Sequence, residues 1–145
     1  MRVVLQRVKH GKVTVDGRIV AEIDHGLVIL LGIGHGDGEE HVDFLVDKIA
    51  GLRIFEDANG RMNLSIREVK GTALVVSQFT LYADTGKGRR PSFTEAASPE
   101  FARPMVEQFA KQLTKLGVPT QQGEFGAHML VEIDNDGPVT IYLER

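Results

Sequence analysis

The sequence predicts an α/β fold: mixed sheets in an α/β/β layered single domain spanning residues 1–145, with two main helices on one side. Three observations carry this. Runs rich in Val, Ile and Leu recur at short spacing along the chain, which is strand patterning. Only two segments show a helical apolar stripe, too few to cover both faces of a large sheet. The sheet must therefore either stack on a second sheet or curve strongly. Finally, Leu27 to Leu31 is apolar without alternation, as in a strand covered on both faces. At 145 residues the chain has the usual size of one domain and can build its own core without metal or disulfide.

In chain order, Val3-Val4-Leu5-Gln6-Arg7-Val8 reads as a first strand and Lys12 to Val15 as a second. Asp16-Gly17 then leads into Arg18 to Ile23. Asp-Gly between alternating runs predicts a hairpin, because a type I′ turn needs positive φ. After the buried strand Leu27–Leu31, a helix is predicted from Val42, Leu45, Val46, Ile49 and Leu52, which form one stripe of 3.6-residue period. Asp37 with Glu40 resembles a capping box for it, and Gly51 lies near its end. Asp57-Ala58-Asn59-Gly60 is a turn, Ala73 to Phe79 a second buried strand, and Thr85 to Ser92 a basic, glycine-rich loop. Ser98-Pro99 opens the second helix as N-cap and first helical residue. Phe101, Met105, Phe109, Leu113 and Leu116 form its apolar face, and Gly117 and Pro119 end it. Pro104 falls in its second turn, so the helix either starts later or kinks there. Met129 to Ile133 and Val139 to Leu143 read as paired strands around Asp134–Pro138.

Composition narrows the chemistry. There is no cysteine, which excludes disulfides, thiolate metal sites and a cysteine nucleophile. The net charge is −3, so any nucleic-acid contact has to be local rather than driven by bulk charge. Charged residues are 26% and hydrophobic residues 42%, which excludes a disordered chain. The N-terminus interleaves charge with apolar residues, and the longest apolar run is far too short to span a bilayer. Secretion and membrane insertion are not expected.

Several segments invite functional readings. Gly32-Ile33-Gly34-His35-Gly36-Asp37-Gly38 follows a buried strand and precedes a helix, as phosphate-binding loops do. Its glycine spacing misses the dinucleotide fingerprint, and Asp37, Glu39 and Glu40 repel phosphate, so it reads as a flexible turn. The five histidines, His10, His25, His35, His41 and His128, form no metal-binding spacing, so no metal is expected. No serine sits in a G-x-S-x-G elbow. Ser77-Gln78-Phe79-Thr80-Leu81 places polar groups at the end of the apolar strand 73–76, where α/β proteins commonly build sites. Its hydroxyls and amide can address a bound ester, and backbone N–H groups there can hold an oxyanion. Taken alone, the segment slightly favours the plainer account of a strand reaching solvent. Lys87, Arg89 and Arg90 sit on a glycine loop that is either solvated or in contact with phosphate. Asp134–Pro138 is a turn, and its Gly137-Pro138 bond can be cis at low cost.

In combination, S-Q-F-T-L at 77–81, G-x-x-R-P-S-F at 86–93 with Arg90 as its arginine, and N-D-G-P-V-T at 135–140 resemble the D-aminoacyl-tRNA deacylase family. Gln6-Arg7-Val8, Arg53-Ile54-Phe55 and Arg61-Met62-Asn63 fit as well, so the resemblance runs through the whole chain in order. It implies hydrolysis of the ester joining a D-amino acid, or glycine mischarged on tRNA-Ala, to the 3′-terminal adenosine of tRNA. It further implies a cytoplasmic homodimer without metal or organic cofactor, whose partner is the aminoacylated tRNA 3′ end. On this resemblance Ser77, Gln78, Phe79 and Thr80 face the ester, and the 2′-hydroxyl of the tRNA assists the reaction. Gly137 and Pro138 would form a Gly-cis-Pro motif that enters the partner subunit's site and rejects L side chains by steric exclusion. Phe125 and Met129 would contact the adenine, and Arg7 would support the Gly-Pro loop.

Two other readings are compatible with the residues. One is an esterase with Thr80 or Ser77 as nucleophile, although neither has a general base adjoining it in sequence. The other is a tRNA- or nucleotide-binding module without catalysis.

Overall fold

A computed structural model describes residues 1–145. The chain runs β1 (Arg2–Val15), β2 (Arg18–Ile23), β3 (Gly26–Gly32), α1 (Glu39–Gly51), β4 (Phe55–Glu56), β5 (Met62–Leu64), β6 (Thr72–Ser77), a 3₁₀ turn (Phe79–Tyr82), α2 (Pro99–Lys115), β7 (Thr120–Gln122) and β8 (Leu130–Glu144). β4 and β5 form a small separate hairpin. The other six strands form one mixed sheet in the order β2-β1-β3-β6-β7, with β8 on the other edge of β1. β3–β6 and β6–β7 are parallel, and each of those connections carries a helix, as parallel pairing requires.

Of the two arrangements open to so few helices, the molecule takes the curved one. β1 pairs with β3 through residues 2–8 and with β2 through residues 11–15, while β8 follows it along the opposite edge. The curvature brings β2 back toward β7, where the Gln121 amide bridges the gap. Its Nε2 donates to the Glu22 carbonyl (2.6 Å), and its Oε1 accepts from the Glu22 N–H (3.0 Å). The sheet is thus nearly closed. Leu27, Ile29, Leu31, Ala73 and Val75 face α1 and α2 in the larger core. Val28, Leu74 and Val76 point the other way, into a second core shared with Val8, Val13, Val15, Ala21 and Ile23. Burial on both faces is why β3 and β6 read as uninterrupted apolar runs.

Several expectations are corrected. The strands read at 3–8 and 12–15 are one continuous β1, bent where Gly11 lets Val28 approach to 2.6 Å of its would-be Cβ. The buried strand read at 73–79 ends at Ser77, and a 3₁₀ turn takes over at Phe79. Asp37 does not cap α1. Gly38 is the N-cap, and its N–H is taken by His41 Nδ1 at 2.9 Å. Asp37 is instead buried, accepting from the Met1 ammonium at 2.5 Å and from the Gly34 N–H at 2.7 Å. α2 starts at Pro99 and passes through Pro104 unbroken to Lys115. Pro104 is solvent-exposed and only in the second turn, so the bond it forfeits is one near the helix end. Within the predicted apolar face, Met105, Phe109 and Leu113 are buried, but Phe101 and Leu116 lie at the surface.

The largest correction is at the C-terminus. Residues 129–133 and 139–143 do not pair with each other. From Leu130 onward both belong to β8, which pairs with β1: Gly11 faces Ile133, Val8 faces Asn135, and Gln6 faces Thr140. Between the last two pairs, β8 has four residues where β1 has one, so Asp136–Val139 form a bulge that projects from the sheet without reversing the chain. Asn135 stitches its base, donating from Nδ2 to the carbonyls of Arg7 and Val139, each at 3.0 Å. No helix is long and apolar enough to cross a membrane.

Candidate active site

The polar end of β6 is positioned by glycines that the sequence suggested only as a loop. A Cβ on Gly32 would come within 3.0 Å of the Gln78 carbonyl oxygen, and one on Gly34 within 2.5 Å of the Tyr82 ring. The end of β3 is therefore bare so that residues 78–82 can lie directly on it. The Gln78 N–H donates to the Leu31 carbonyl (2.8 Å), and Arg2 clamps the turn from outside. Its Nη1 donates to the Leu81 carbonyl (3.1 Å), and its guanidinium sits 4.4 Å from the Tyr82 ring centroid. Burial and the nearby Asp37 carboxylate push the Tyr82 hydroxyl above its ordinary range, so it stays neutral as part of this support. Gly34→Ala is expected to destabilise the fold by about 1–3 kcal/mol through this clash. Gly51→Ala, whose new methyl meets nothing within 4 Å, is the control. Denaturant unfolding of the two variants checks it, and equal stabilities would refute the packing role.

At the start of the 3₁₀ turn the N–H groups of Phe79 and Thr80 donate to no backbone carbonyl, whereas those of Gln78 and Leu81 do. Two adjacent donors are thus available to an oxyanion beside Ser77. The Gln78 side-chain amide donates to the Thr80 hydroxyl. Thr80 is exposed, and that amide cannot accept a proton from it, so no base activates it.

Ser77, Gln78 and Phe79 border a cleft of about 710 Å³. Its walls are the β6 end, the segment 93–99 leading into α2, the first turns of α2, and residues 125–131. Phe79, 57 % exposed, meets Phe93 edge-to-face with centroids 5.1 Å apart. Phe125 and Met129 line the same cleft, so five of the nine residues singled out from the sequence converge there. Thr80 lies immediately beside the cleft but outside its lining. Two cleft residues able to carry charge were given no site role from the sequence. His128 is a lone histidine with no spacing signal. Arg103 is one charge among several on α2, and only the packing of the helix shows which way it faces.

Gly137 and Pro138 are not in this cleft. They are exposed at the tip of the β8 bulge, joined by a cis peptide bond. Arg7, 4 % exposed, lies beneath them. Its Nη1 donates to the Ile54 carbonyl (2.7 Å), its Nε forms an ion pair with Asp136 Oδ2 (3.0 Å), and its Nη2 lies 3.9 Å from Glu56 Oε1. The angle at Nε is not that of a hydrogen bond, so the Asp136 contact is electrostatic. Gly137 has φ +121, and a Cβ there would fall 2.9 Å from Val139 Cγ2 and 3.1 Å from Arg7 Nη2. Arg7 and glycine thus fit one another. Lys87, Arg89 and Arg90 lie on an exposed loop closed by paired backbone bonds between Asp84 and Ser92, away from the cleft lining.

The family model described as D-Tyr-tRNA(Tyr) deacylase matches residues 4–144. The chain belongs to the D-Tyr-tRNA(Tyr) deacylase family. A D-aminoacyl-tRNA deacylase of Thermomicrobium roseum is 58% identical to this member over 99% of this chain and 94% of its own. Among solved structures, a c-Myc DNA unwinding element binding protein superposes with a TM-score of 0.93 at 40% identity, covering 100% of this chain and 99% of its own. A probable eukaryotic D-amino acid tRNA deacylase shares the fold, with a TM-score of 0.80 at 18% identity, covering 98% and 97%. The cleft and the bulge are the two features of this deacylase-family chain to which chemistry can be assigned.

Proposed function

We propose that this protein hydrolyses the ester between a D-amino acid and the 3′-terminal adenosine of tRNA, and likewise clears glycine from tRNA-Ala. The observation that carries the reading is the convergence of Ser77, Gln78 and Phe79 with Phe125 and Met129 on one cleft in a chain of this family. Adenine would lie against Phe125 and Met129, which places the ester at the β6 end. The N–H groups of Phe79 and Thr80 would hold the carbonyl oxygen as it gains negative charge. Water adds to the carbonyl carbon, the bond to the 3′-oxygen breaks, and that oxygen takes the proton. The neighbouring 2′-hydroxyl of the ribose would assist the proton transfers, since the cleft presents no paired nucleophile and base. A site open to many D side chains cannot grip them, which suits the backbone N–H groups and small polar side chains at the β6 end of an otherwise largely apolar cleft.

The Gly137-Pro138 tip would act in the partner of a cytoplasmic homodimer. Its exposure, and its absence from the cleft of its own chain, support action across subunits. There its carbonyls would hold the substrate amino group and leave no space for an L side chain. Purified protein is expected to release D-tyrosine from D-Tyr-tRNA and to leave L-Tyr-tRNA intact. Equal cleavage of both would refute chiral discrimination, and cleavage of neither would refute the activity.

Lys87, Arg89 and Arg90 are exposed, and the ion-paired Lys and Arg residues of the chain are Arg2, Arg7, Lys9, Lys12 and Arg18. They would contact tRNA phosphates without reading bases. Arg89→Ala with Arg90→Ala is expected to weaken tRNA binding and reduce the log–log salt slope by about 1–2. An unchanged slope in a salt titration means the loop is only solvated.

A further inference from the structure

Arg103 is the only permanently charged side chain lining the cleft, and no carboxylate lines it. In a chain of net charge −3, that is a local inversion of sign. Arg103 lies in the second turn of α2, with its guanidinium 4.7 Å from the Phe125 ring centroid. Glu100 and Glu107 stand at i−3 and i+4 on the same helix, from where a carboxylate can reach an arginine. Neither forms an ion pair with it. Glu100 instead turns back to the helix start, where its own backbone N–H and the Ser98 side chain hold its carboxyl below the ordinary range. Contact between a guanidinium and an aromatic ring engages the charge but leaves the N–H donors unused. Arg103 is therefore a placed cation with donors to spare, resting on the ring that would receive the substrate's base.

We propose that Arg103 binds the 5′-phosphate of the nucleotide whose base lies at Phe125 and Met129. The identity of that nucleotide as the terminal adenosine rests on the deacylase reading. A guanidinium fork matches two phosphate oxygens, and the Phe125 ring holds it beside the place where base and ribose must join. One cation matches the single phosphodiester that links the terminal nucleotide to the rest of the tRNA. Holding that phosphate sets how far the ribose extends toward Ser77. Arg103 is thus a positioning and binding residue whose contact is the same before and during ester cleavage, so its loss raises KM and spares kcat.

The test titrates adenosine 5′-monophosphate and adenosine into the full-length protein by NMR, with Arg103→Gln and Arg103→Lys alongside. Arg103 is exposed, so both variants are expected to fold. Wild type is expected to bind the monophosphate about tenfold more tightly than adenosine. Arg103→Gln abolishes that preference without changing adenosine affinity, and Arg103→Lys retains part of it. With D-aminoacyl-tRNA, Arg103→Gln raises KM about tenfold and changes kcat less than about twofold. The proposal is overturned if wild type shows no preference for the monophosphate. It is equally overturned if Arg103→Gln weakens both ligands alike, which would make Arg103 a prop for Phe125. A protein that prefers the monophosphate through Arg103 yet releases no amino acid from D-aminoacyl-tRNA upholds this assignment and refutes the deacylase reading alone.

Discussion

Replacing the terminal 2′-hydroxyl of D-aminoacyl-tRNA with hydrogen is expected to slow cleavage by about 10²–10⁴, the range of a lost acid–base contribution, with little change in binding. Thr80→Ala is expected to cost far less. The structural reason is the surroundings of Thr80. Its hydroxyl is exposed, and the group bonded to it is the Gln78 amide, which donates and cannot serve as a base. The donors suited to the oxyanion are backbone N–H groups, which Thr80→Ala leaves in place. Removing the Thr80 side chain therefore takes away a contact to Gln78 rather than a reacting atom. Single-turnover cleavage of the 2′-deoxy and natural substrates, by wild type and Thr80→Ala, decides between the mechanisms. Fast cleavage of the 2′-deoxy ester together with a dead Thr80→Ala enzyme would establish a threonine nucleophile instead.

Gly137→Val is expected to reduce D-substrate turnover by at least about tenfold through two effects. At φ +121 a β-branched residue is strained by about 1–3 kcal/mol. Its Cβ would also press on Val139 and on the buried Arg7 guanidinium, displacing the bulge tip. The protein is expected to be a dimer by light scattering, and Gly137→Val is expected to remain one, since the tip is exposed and stitched at its base by Asn135. Mixing Gly137→Val with a second variant altered in the cleft and verified as inactive on its own then tests action across subunits. Random exchange leaves half the protein as mixed dimers with one intact site each, so about a quarter of wild-type activity is expected. No recovery after verified exchange would place the tip in its own subunit's site. A fully active monomer would refute the dimeric site outright.

What could be read from the sequence follows one physical line. Wherever local chemistry and burial agree, the reading survives folding. The apolar runs of β3 and β6 announced a sheet covered on both faces, and both faces hold a core. The stripe Val42, Leu45, Val46 and Ile49 announced α1 because those residues must share one buried side. The S-Q-F-T-L segment marked the cleft because polar residues ending an apolar strand are unusual enough to be noticed.

Two Asp-Gly steps show where such reading stops. Asp16-Gly17 and Asp136-Gly137 have the same local signal. In the first, Asp16 and Gly17 have φ of 49 and 76, and the arms pair with each other from Val15 and Arg18 outward. In the second, both arms pair with β1, a strand more than a hundred residues away in sequence, and the chain bulges instead of turning back. Likewise, nothing local marks Gly32 and Gly34 as the seat of residues 78–82, or Arg103 as the arginine that rests on Phe125. Fold class, the two helices and the β6 motif were determined by the sequence alone, because propensity and hydrophobic period act over a few residues. The sheet's closure, the direction of the 136–139 bulge and the charge of the cleft were decided only by tertiary structure. Each depends on which distant backbone edge or side chain fills the space, and that is a property of packing rather than of any short stretch of chain.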